Sequence, residues 1–435
     1  MNASDFIRHP FTTCPKCGVE NEFGGLMVTG ESHIRRCRSC WHTQSFPLPP
    51  LNVSVLYLDQ NILSNMLRVL DPSTPKSKLE RMEKEKHFSF FDDVFRKIHR
   101  LTKLHLLVCP ESPIHYEESI ASPTDFKKLK RLYELLSGGN RFLRSSQIRN
   151  LQLCETAERH LNNPGDSEIL FPIEDVTNGK INTWRNWYQI SLNRGKIEGY
   201  EEALSDLKRQ KYDGFVEVWE RWKREKDRSF DDWYCEERMA LCKVLKDKLT
   251  QLFERKLEIE FKHTQPLLGD MLPDDNEVLL MDLRRILGRD EPDLAEFKKV
   301  WRFLESDALD RVLHVRISSL MYAALAGRAG RLQKLPARAP FNDIDILSAY
   351  LPYCDAMFLD KEMEILLNEG PLRKLLGCNT RIFLIAKKDD FLAYLDSIET
   401  NASRGHLEKV REVYGDNWED PFVELYHSLD GHPEK

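Results

Sequence analysis

Asp59 and Asp360 each stand at the end of a short apolar run, and two other acids, Asp343 and Asp345, open a helix-like segment shortly before Asp360. The run Val53-Ser-Val-Leu-Tyr-Leu58 is apolar and β-branched, the signature of a strand buried on both faces. Asp59 sits where that strand stops. In open α/β sheets ligands bind just beyond the carboxyl ends of strands. An acid there suits a metal site or a proton-transfer site. The competing reading is a helix N-cap, because Asn61-Ile-Leu-Ser64 begins an apolar-periodic helix. Ala356 to Leu359 is a second short strand, and Asp360 ends it as Asp59 ends the first. Asp343 and Asp345 also fit the first turn of a helix on dipole grounds alone.

Four cysteines carry a second chemistry. Cys14-Pro-Lys-Cys17 and Cys37-Arg-Ser-Cys40 are two Cys-x-x-Cys knuckles separated by a stretch that predicts a hairpin over 23–36. Each knuckle aims two sulfurs at one tetrahedral ion, so the set reads as a four-thiolate zinc ribbon. Gly18 permits a left-handed turn after the first pair. With four sulfur ligands no coordination position is left open, so the zinc is expected to be structural. Arg35, Arg36, Arg38 and Trp41 lie beside the second knuckle, either touching nucleic acid or decorating the ribbon. The other six cysteines, Cys109, Cys154, Cys235, Cys242, Cys354 and Cys378, show no metal spacing and read as small buried hydrophobes.

The elements that position these residues alternate. Pro47-Leu-Pro-Pro50 is a stiff linker from the ribbon into the first strand. A helix over 62–70 follows, then an amphipathic helix within 79–100 with Phe88, Phe90, Phe91, Val94, Phe95 and Ile98 as its buried stripe. Leu104 to Cys109 predicts a strand, and Pro110-Glu-Ser-Pro-Ile-His-Tyr-Glu-Glu118 turns into a helix. Arg381 to Ala386 predicts another strand, and Asp390 opens a helix.

In order and residue type, the pattern resembles the PIN-domain nucleases. The motif Leu58-Asp-Gln-Asn-Ile-Leu63 corresponds to the family's first strand end, a glutamate follows the second strand, an aspartate starts a later helix, and another aspartate ends the strand after it. The resemblance covers roughly 50–120 and 340–395. It implies an α/β fold with a PIN-like central parallel sheet flanked by helices. On that fold the chain divides into a zinc ribbon at 1–48, a PIN-like domain at 49–395 interrupted by a large helical insertion at about 125–310, and a helical C-terminal tail at 396–435. The implied activity is phosphodiester hydrolysis, most directly of RNA, by a carboxylate-bound Mg or Mn ion that activates water. The implied ligands are Asp59 centrally, Asp360 opposite it, and Asp345 or Asp343 with Glu117 completing the ring, with Glu111 and Glu118 as alternatives to Glu117. Asn61 would orient Asp59 or contact the scissile phosphate, and Arg316 and Arg338 would meet phosphate charge. Gln60 and Leu359 stand where the family favours hydroxyl residues. They support the alternative, a catalytically inactive PIN-like scaffold that binds RNA or protein.

Composition bounds these readings. At 435 residues and 41% hydrophobic content the chain can bury a sizeable core. A net charge of −6 argues against coating nucleic acid through bulk charge. One local exception is the acid-free stretch from Arg311 to Asn342, which holds Arg311, Arg316, Arg328, Arg331, Lys334 and Arg338 and runs straight into Asp343. Trp184 with Trp187, and Trp219 with Trp222, are spaced i, i+3 and read as core, with base stacking as the alternative. His115 and His314 read as ordinary polar residues near a surface. No segment is apolar enough to span a bilayer and no signal-peptide pattern opens the chain, so a cytoplasmic location is expected. A protein partner would dock on the ribbon or the helical insertion.

Overall fold

The computed structural model describes residues 7–85, 87–120, 126–162, 169–185, 200–262, 273–288, 293–331, 335–336, 340–369 and 371–415. The chain begins with four antiparallel strands in sequential order, β1 (Arg8–Thr12), β2 (Phe23–Val28), β3 (Ser32–Cys37) and β4 (Thr43–Pro47). The expected hairpin is present, with Phe23 opposite Cys37. Gly24 has to be glycine, since a Cβ there would lie 2.4 Å from the ring of Phe11. The ribbon packs on the body. Val28 joins the main core, and Trp184 donates its backbone N–H to Gly30 O at 3.2 Å and its indole N–H to Pro49 O at 2.8 Å.

After the linker come β5 (Ser54–Leu58), α1 (Gln60–Leu70), α2 (Lys76–Lys84), α3 (Phe88–Lys103), β6 (Leu107–Val108) and α4 (Pro113–Ile120). A mostly helical stretch follows. It holds α5 (Phe126–Ser137), β7 (Arg141–Phe142), α6 (Ser145–Asn162), β8 (Thr177–Asn178), α7 (Tyr200–Arg224), α8 (Phe230–Lys262), α9 (Asp275–Leu287), α10 (Asp293–Glu305) and α11 (Leu313–Ala329). The chain then returns through α12 (Phe341–Tyr350), β9 (Ala356–Phe358), α13 (Lys361–Leu367), α14 (Leu372–Leu376), β10 (Arg381–Phe383), α15 (Lys388–Thr400) and α16 (Arg404–Tyr414).

The main sheet has the order β10-β9-β5-β6, and every pairing in it is parallel. Side chains alternate across it, as a strand requires. Val55 and Tyr57 point into one core with Ile317 and Leu320 of α11 and Ile344 and Tyr350 of α12. Leu56 and Leu58 point into another with Ile62 and Met66 of α1, Phe90, Val94 and Ile98 of α3, and Phe391 of α15. Two helical layers therefore enclose a sheet buried on both faces, which is why β5 reads as a continuous apolar run. A third core joins α6, α8, α9 and α10 away from the sheet. Trp219 and Trp222 are fully buried, which removes them as stacking platforms, and Trp184 is buried too, against His105, His406 and Tyr414. Trp187 lies outside the described residues.

Two boundaries differ from expectation. The strand expected from Leu104 shortens to two residues, because Leu104 to Leu106 turn out of α3, with His105 in the left-handed region at φ +56°. Nor does a peripheral tail begin at 396. α15 runs through that position, and its Asp396 and Glu399 pair with Lys97 and Arg100 of α3. Val410 and Val413 of α16 enter the main core.

Candidate functional site

The ribbon's metal site assembles from two tight turns. Cys14 and Cys40 Sγ lie 3.6 Å apart, and Cys17 and Cys37 Sγ 3.8 Å. A tetrahedron with a zinc–sulfur bond of about 2.3 Å has edges of about 3.8 Å, so the spacing fits zinc, while a disulfide at about 2.0 Å does not fit. Backbone N–H groups of Lys16 and Cys40 point at Cys14 Sγ (3.4 Å) and Cys37 Sγ (3.5 Å), the donors a thiolate needs. Cys14 and Cys37 are buried. Among the described residues these four are the one group of three or more His, Cys, Asp or Glu whose ligand atoms all lie within 4.8 Å of one another. Of the remaining cysteines Cys109, Cys242 and Cys354 are buried, but Cys235 is exposed, so it is not the core residue expected.

The acids occupy the carboxyl edge of the main sheet. Asp59 follows β5 directly, and its backbone N–H donates to Phe358 O of β9 at 3.0 Å. Asp360 lies two residues beyond Phe358, which pairs with Leu58. Asp59 and Asp360 thus leave adjacent parallel strands at the same edge. From β5 the next strand, β6, lies on one side and β9 on the other. The strand order therefore reverses between β5 and β9, the crevice where open α/β sheets bind ligands. Both acids also cap helices. Asp59 Oδ1 accepts from Asn61 N at 2.7 Å, and Asp360 Oδ1 accepts from Met363 N at 2.9 Å.

Two helices bring further acids to this edge. α12 precedes β9 and runs back along it, so its first turn, with Asp343, begins at the carboxyl edge. α4 follows β6 and starts at the same edge. Burial raises the pKa of Asp345; Lys211 and Arg149 pull it down, and Glu117 pushes it up. Burial also raises the Tyr57 phenol well above its usual range, and the charges of Asp59 and Glu118 add to that. The charge of Glu117 thus reaches Asp345, and the charges of Glu118 and Asp59 reach the same phenol. Glu111 has a cation of its own. Its carboxylate is buried and bonds Arg141 Nε at 2.6 Å.

No protein-family model, curated protein or solved structure matches this chain.

The floor of the acidic edge is aromatic. His115 stacks between Tyr57 (5.0 Å between centroids) and Tyr133 (5.2 Å), and Tyr350 lies 5.9 Å from Tyr57. Burial lowers the His115 pKa to about 3, so the ring is neutral; it is not the near-surface residue expected. His314 is buried too, with Nε2 2.7 Å from Ser145 Oγ, and burial takes it to about 3. Gln60, which departs from the hydroxyl residue of the resembled family, ties α1 to α4 and α5. It accepts from Tyr133 Oη and donates to Ser119 Oγ at 3.1 Å. Asn61 orients Asp59 through its backbone N–H, and its side chain accepts from Asn65 Nδ2 at 3.2 Å.

Arg316 is not at this edge. α11 runs the same way as the strands, with Arg316 near its start and Arg328 near its end. Arg316 donates to Leu375 O at 2.7 Å and lines an open groove of about 1050 Å³ with Ser54, Asp355 and Arg381, the residues that begin β5, precede β9 and begin β10. That is the amino edge. The cation of α11 that reaches the carboxyl edge is Arg328, bonded to Glu362 in the first turn of α13 at 3.1 Å. The acid-free stretch thus spends its charge on partners: Arg311 pairs with Asp307 and Arg331 with Glu369. Arg338 and Lys334 lie outside the described residues.

Lys211 and Arg149 are the charges that the sequence did not mark. Lys211 lies one turn before Phe215, whose ring meets Phe341 at 5.4 Å, and Phe341 lies one turn before Asp345. That aromatic contact between α7 and α12 sets the lysine near the aspartate, and no local sequence pattern encodes it. Among the described residues no helix is long and apolar enough to cross a membrane.

Proposed function

We propose that this chain is a metal-dependent nuclease of PIN-like fold acting on RNA, with the helices from α5 to α11 as a large insertion and a structural zinc in the ribbon. The observation that supports this most is the emergence of Asp59 and Asp360 from adjacent parallel strands at the reversal of strand order, with Asp345 and Glu117, on α12 and α4, near enough for their charges to interact. Carboxylates gathered this way repel one another, and a hard divalent cation relieves the repulsion with the oxygen ligands it prefers. Asp59, Asp360, Asp345 and Glu117 are the residues that would hold Mg or Mn, which supplies an activated water and charge neutralisation at the phosphoryl group. Asp59 keeps its orientation through the Asn61 amide, and the charge of Lys211, which pulls the Asp345 pKa down, would favour a phosphate beside that carboxylate.

The deciding variant is Asp59→Asn. Asparagine caps a helix as well as aspartate does, so the fold should be kept. Loss of one metal-binding carboxylate should lower cleavage of labelled single-stranded RNA by about 10²–10³-fold in Mg or Mn. Equal cutting by the variant and the wild type would refute the assignment.

One observation favours a second reading, a scaffold without turnover. The caps engage both strand-end carboxylates, and among the described residues no three of the acids close to within 4.8 Å of one another as the cysteines do. The scaffold reading requires that Mn²⁺ leave the melting temperature unchanged, whereas the nuclease reading requires a rise that Asp59→Asn abolishes.

A further inference from the structure

The two zinc knuckles differ at one position. Gly18 follows Cys17 and adopts φ +70°; the equivalent residue after Cys40 is Trp41, at φ +59°. Glycine enters this left-handed region freely, whereas a bulky side chain there is an outlier that persists only where its surroundings hold it. Burial does not explain the tryptophan, which is 44% exposed. Its backbone is fixed from both directions: Trp41 N donates to Cys37 O at 3.1 Å, and Trp41 O accepts from Thr43 Oγ1 at 3.3 Å. Its ring is faced by Arg36, whose guanidinium carbon lies 4.4 Å from the ring centroid. Arg36 is held in turn by β3, opposite Gly24 and Thr43.

We propose that Trp41 and Arg36 form a stacking platform for an unpaired base of single-stranded nucleic acid. An indole offers a π face to any base, and a cation stacked beside it lies within reach of the adjoining phosphate. The surroundings favour nucleic acid over protein. A protein hot spot sits inside an apolar, water-excluding patch. Trp41 instead has Arg36, Arg38, Ser39, His42 and Thr43 as its neighbours in sequence, and Arg38 stacks on Phe11 at 4.2 Å in the same arginine-on-ring manner. A zinc-bound knuckle keeps the platform rigid, so little conformational freedom is lost on binding. The ribbon joins the body at the start of β5, and the acids lie beyond its end, a strand length of about 17 Å away. The platform belongs to the ribbon and the acids to the sheet, so its role does not depend on that edge being catalytic.

The test measures binding, not cleavage. Zinc-loaded full-length protein, without Mg, Mn or chelator, is titrated into labelled single-stranded RNA and DNA of one sequence and into their duplexes. Trp41→Gly should weaken single-strand binding by roughly 5- to 100-fold while duplex binding is unchanged. Zinc content and melting temperature should be kept or improved, because glycine relieves the left-handed strain. Trp41→Asn, which also tolerates that conformation, should lose the same affinity, and Trp41→Phe should recover most of it. The proposal is overturned if wild type binds no single strand, if either ring-less variant binds as wild type does, or if single-strand and duplex binding fall together. A platform built for a protein partner would give the second of these results.

Discussion

The cysteine cluster draws its ligands from the stretch between Cys14 and Cys40, and the acidic edge draws its own from Asp59 to Asp360. Two knuckles and a hairpin place four sulfurs at tetrahedral spacing, and those sulfurs have no other task. The acids instead arrive by sheet topology, on two strand ends and two helices, and the strand-end pair also caps α1 and α13. A site made by local geometry closes by itself. One made by convergence of distant elements is only as tight as the packing of all of them, and a cation would have to draw it shut. If the acids hold a cation as proposed, losing a ligand should unfold the first site and merely disarm the second.

The largest expected effect lies in the ribbon. Cys37→Ser removes a fully buried ligand. Structural zinc contributes binding free energy of about 10–16 kcal/mol that is coupled to folding in small zinc modules. Hydrogen exchange should show residues 7–47 losing protection while β5 and β9 keep theirs. If the ribbon stays protected without metal, its contact with Trp184 and α16 holds it instead, and the contrast with the acidic edge disappears.

A second test separates an acid of the scaffold from the acids of the edge. Glu111 is buried, and burial raises its pKa despite the opposing pull of Arg141. Arg141→Ala leaves that carboxylate without its cation. Breaking a buried pair costs about 3–5 kcal/mol, less here because Arg141 is half-exposed, so a loss of about 1–3 kcal/mol in chemical denaturation is expected. Mn²⁺ affinity should not change. A matching loss of Mn²⁺ binding would return Glu111 to the metal site in place of Glu117.

What the sequence made legible follows the same division. Cys-x-x-Cys spacing carries its geometry within a few bonds, and the apolar run before Asp59 carries its own burial on both faces of the sheet. The direction of α11 is not written in any short pattern. The basic residues from Arg311 onward look like one track, yet they spread from the amino edge at Arg316 to the carboxyl edge at Arg328. Whether Glu111, Glu117 or Glu118 meets the edge depends on how α4 leaves β6 and on Arg141, far along the chain. His115 is polar by type but sits inside a ring stack that only the meeting of β5, α4 and α5 creates. Trp41 was visible beside the second knuckle but its left-handed backbone was not, because the motif specifies the turn and not which residue makes it.

A third expectation is a pH dependence. Burial, the largest cause, raises the pKa of Asp345 above its unfolded value, so the folded state holds its proton more tightly. That contribution to stability is fully present below the unfolded pKa and is lost as pH rises through the folded one. At pH 8 the ionised, half-buried carboxylate is a liability. Asp345→Asn should therefore melt higher than wild type at pH 8, with the difference vanishing near pH 4. Mn²⁺ should narrow the gap at pH 8 if the edge holds a cation. A constant difference at all pH values would mean that the charge of Asp345 is not the cause.

The smallest effect tests whether the acidic edge is completed by a helix far from it in sequence. Phe215 anchors α7 on Phe341, so Lys211 is presented to Asp345 by the helical stretch and not by the sheet. A lysine there has two uses, to lower the pKa of Asp345 or to meet a phosphate. The two are separable. As a phosphate contact, Lys211→Ala should weaken RNA binding uniformly across sequences and lower the salt dependence, log K against log salt, by about one contact, with cleavage at saturating RNA little changed. As a partner of Asp345 alone, the same variant should leave the salt dependence intact and raise the pH needed for half-maximal activity, because an aspartate without its cation ionises later. A result of the first kind makes the helical stretch part of the substrate surface, so the open site is finished by elements outside the sheet. With the second, the lysine serves only to keep one carboxylate charged, and the sheet edge with α4 and α12 is the whole site.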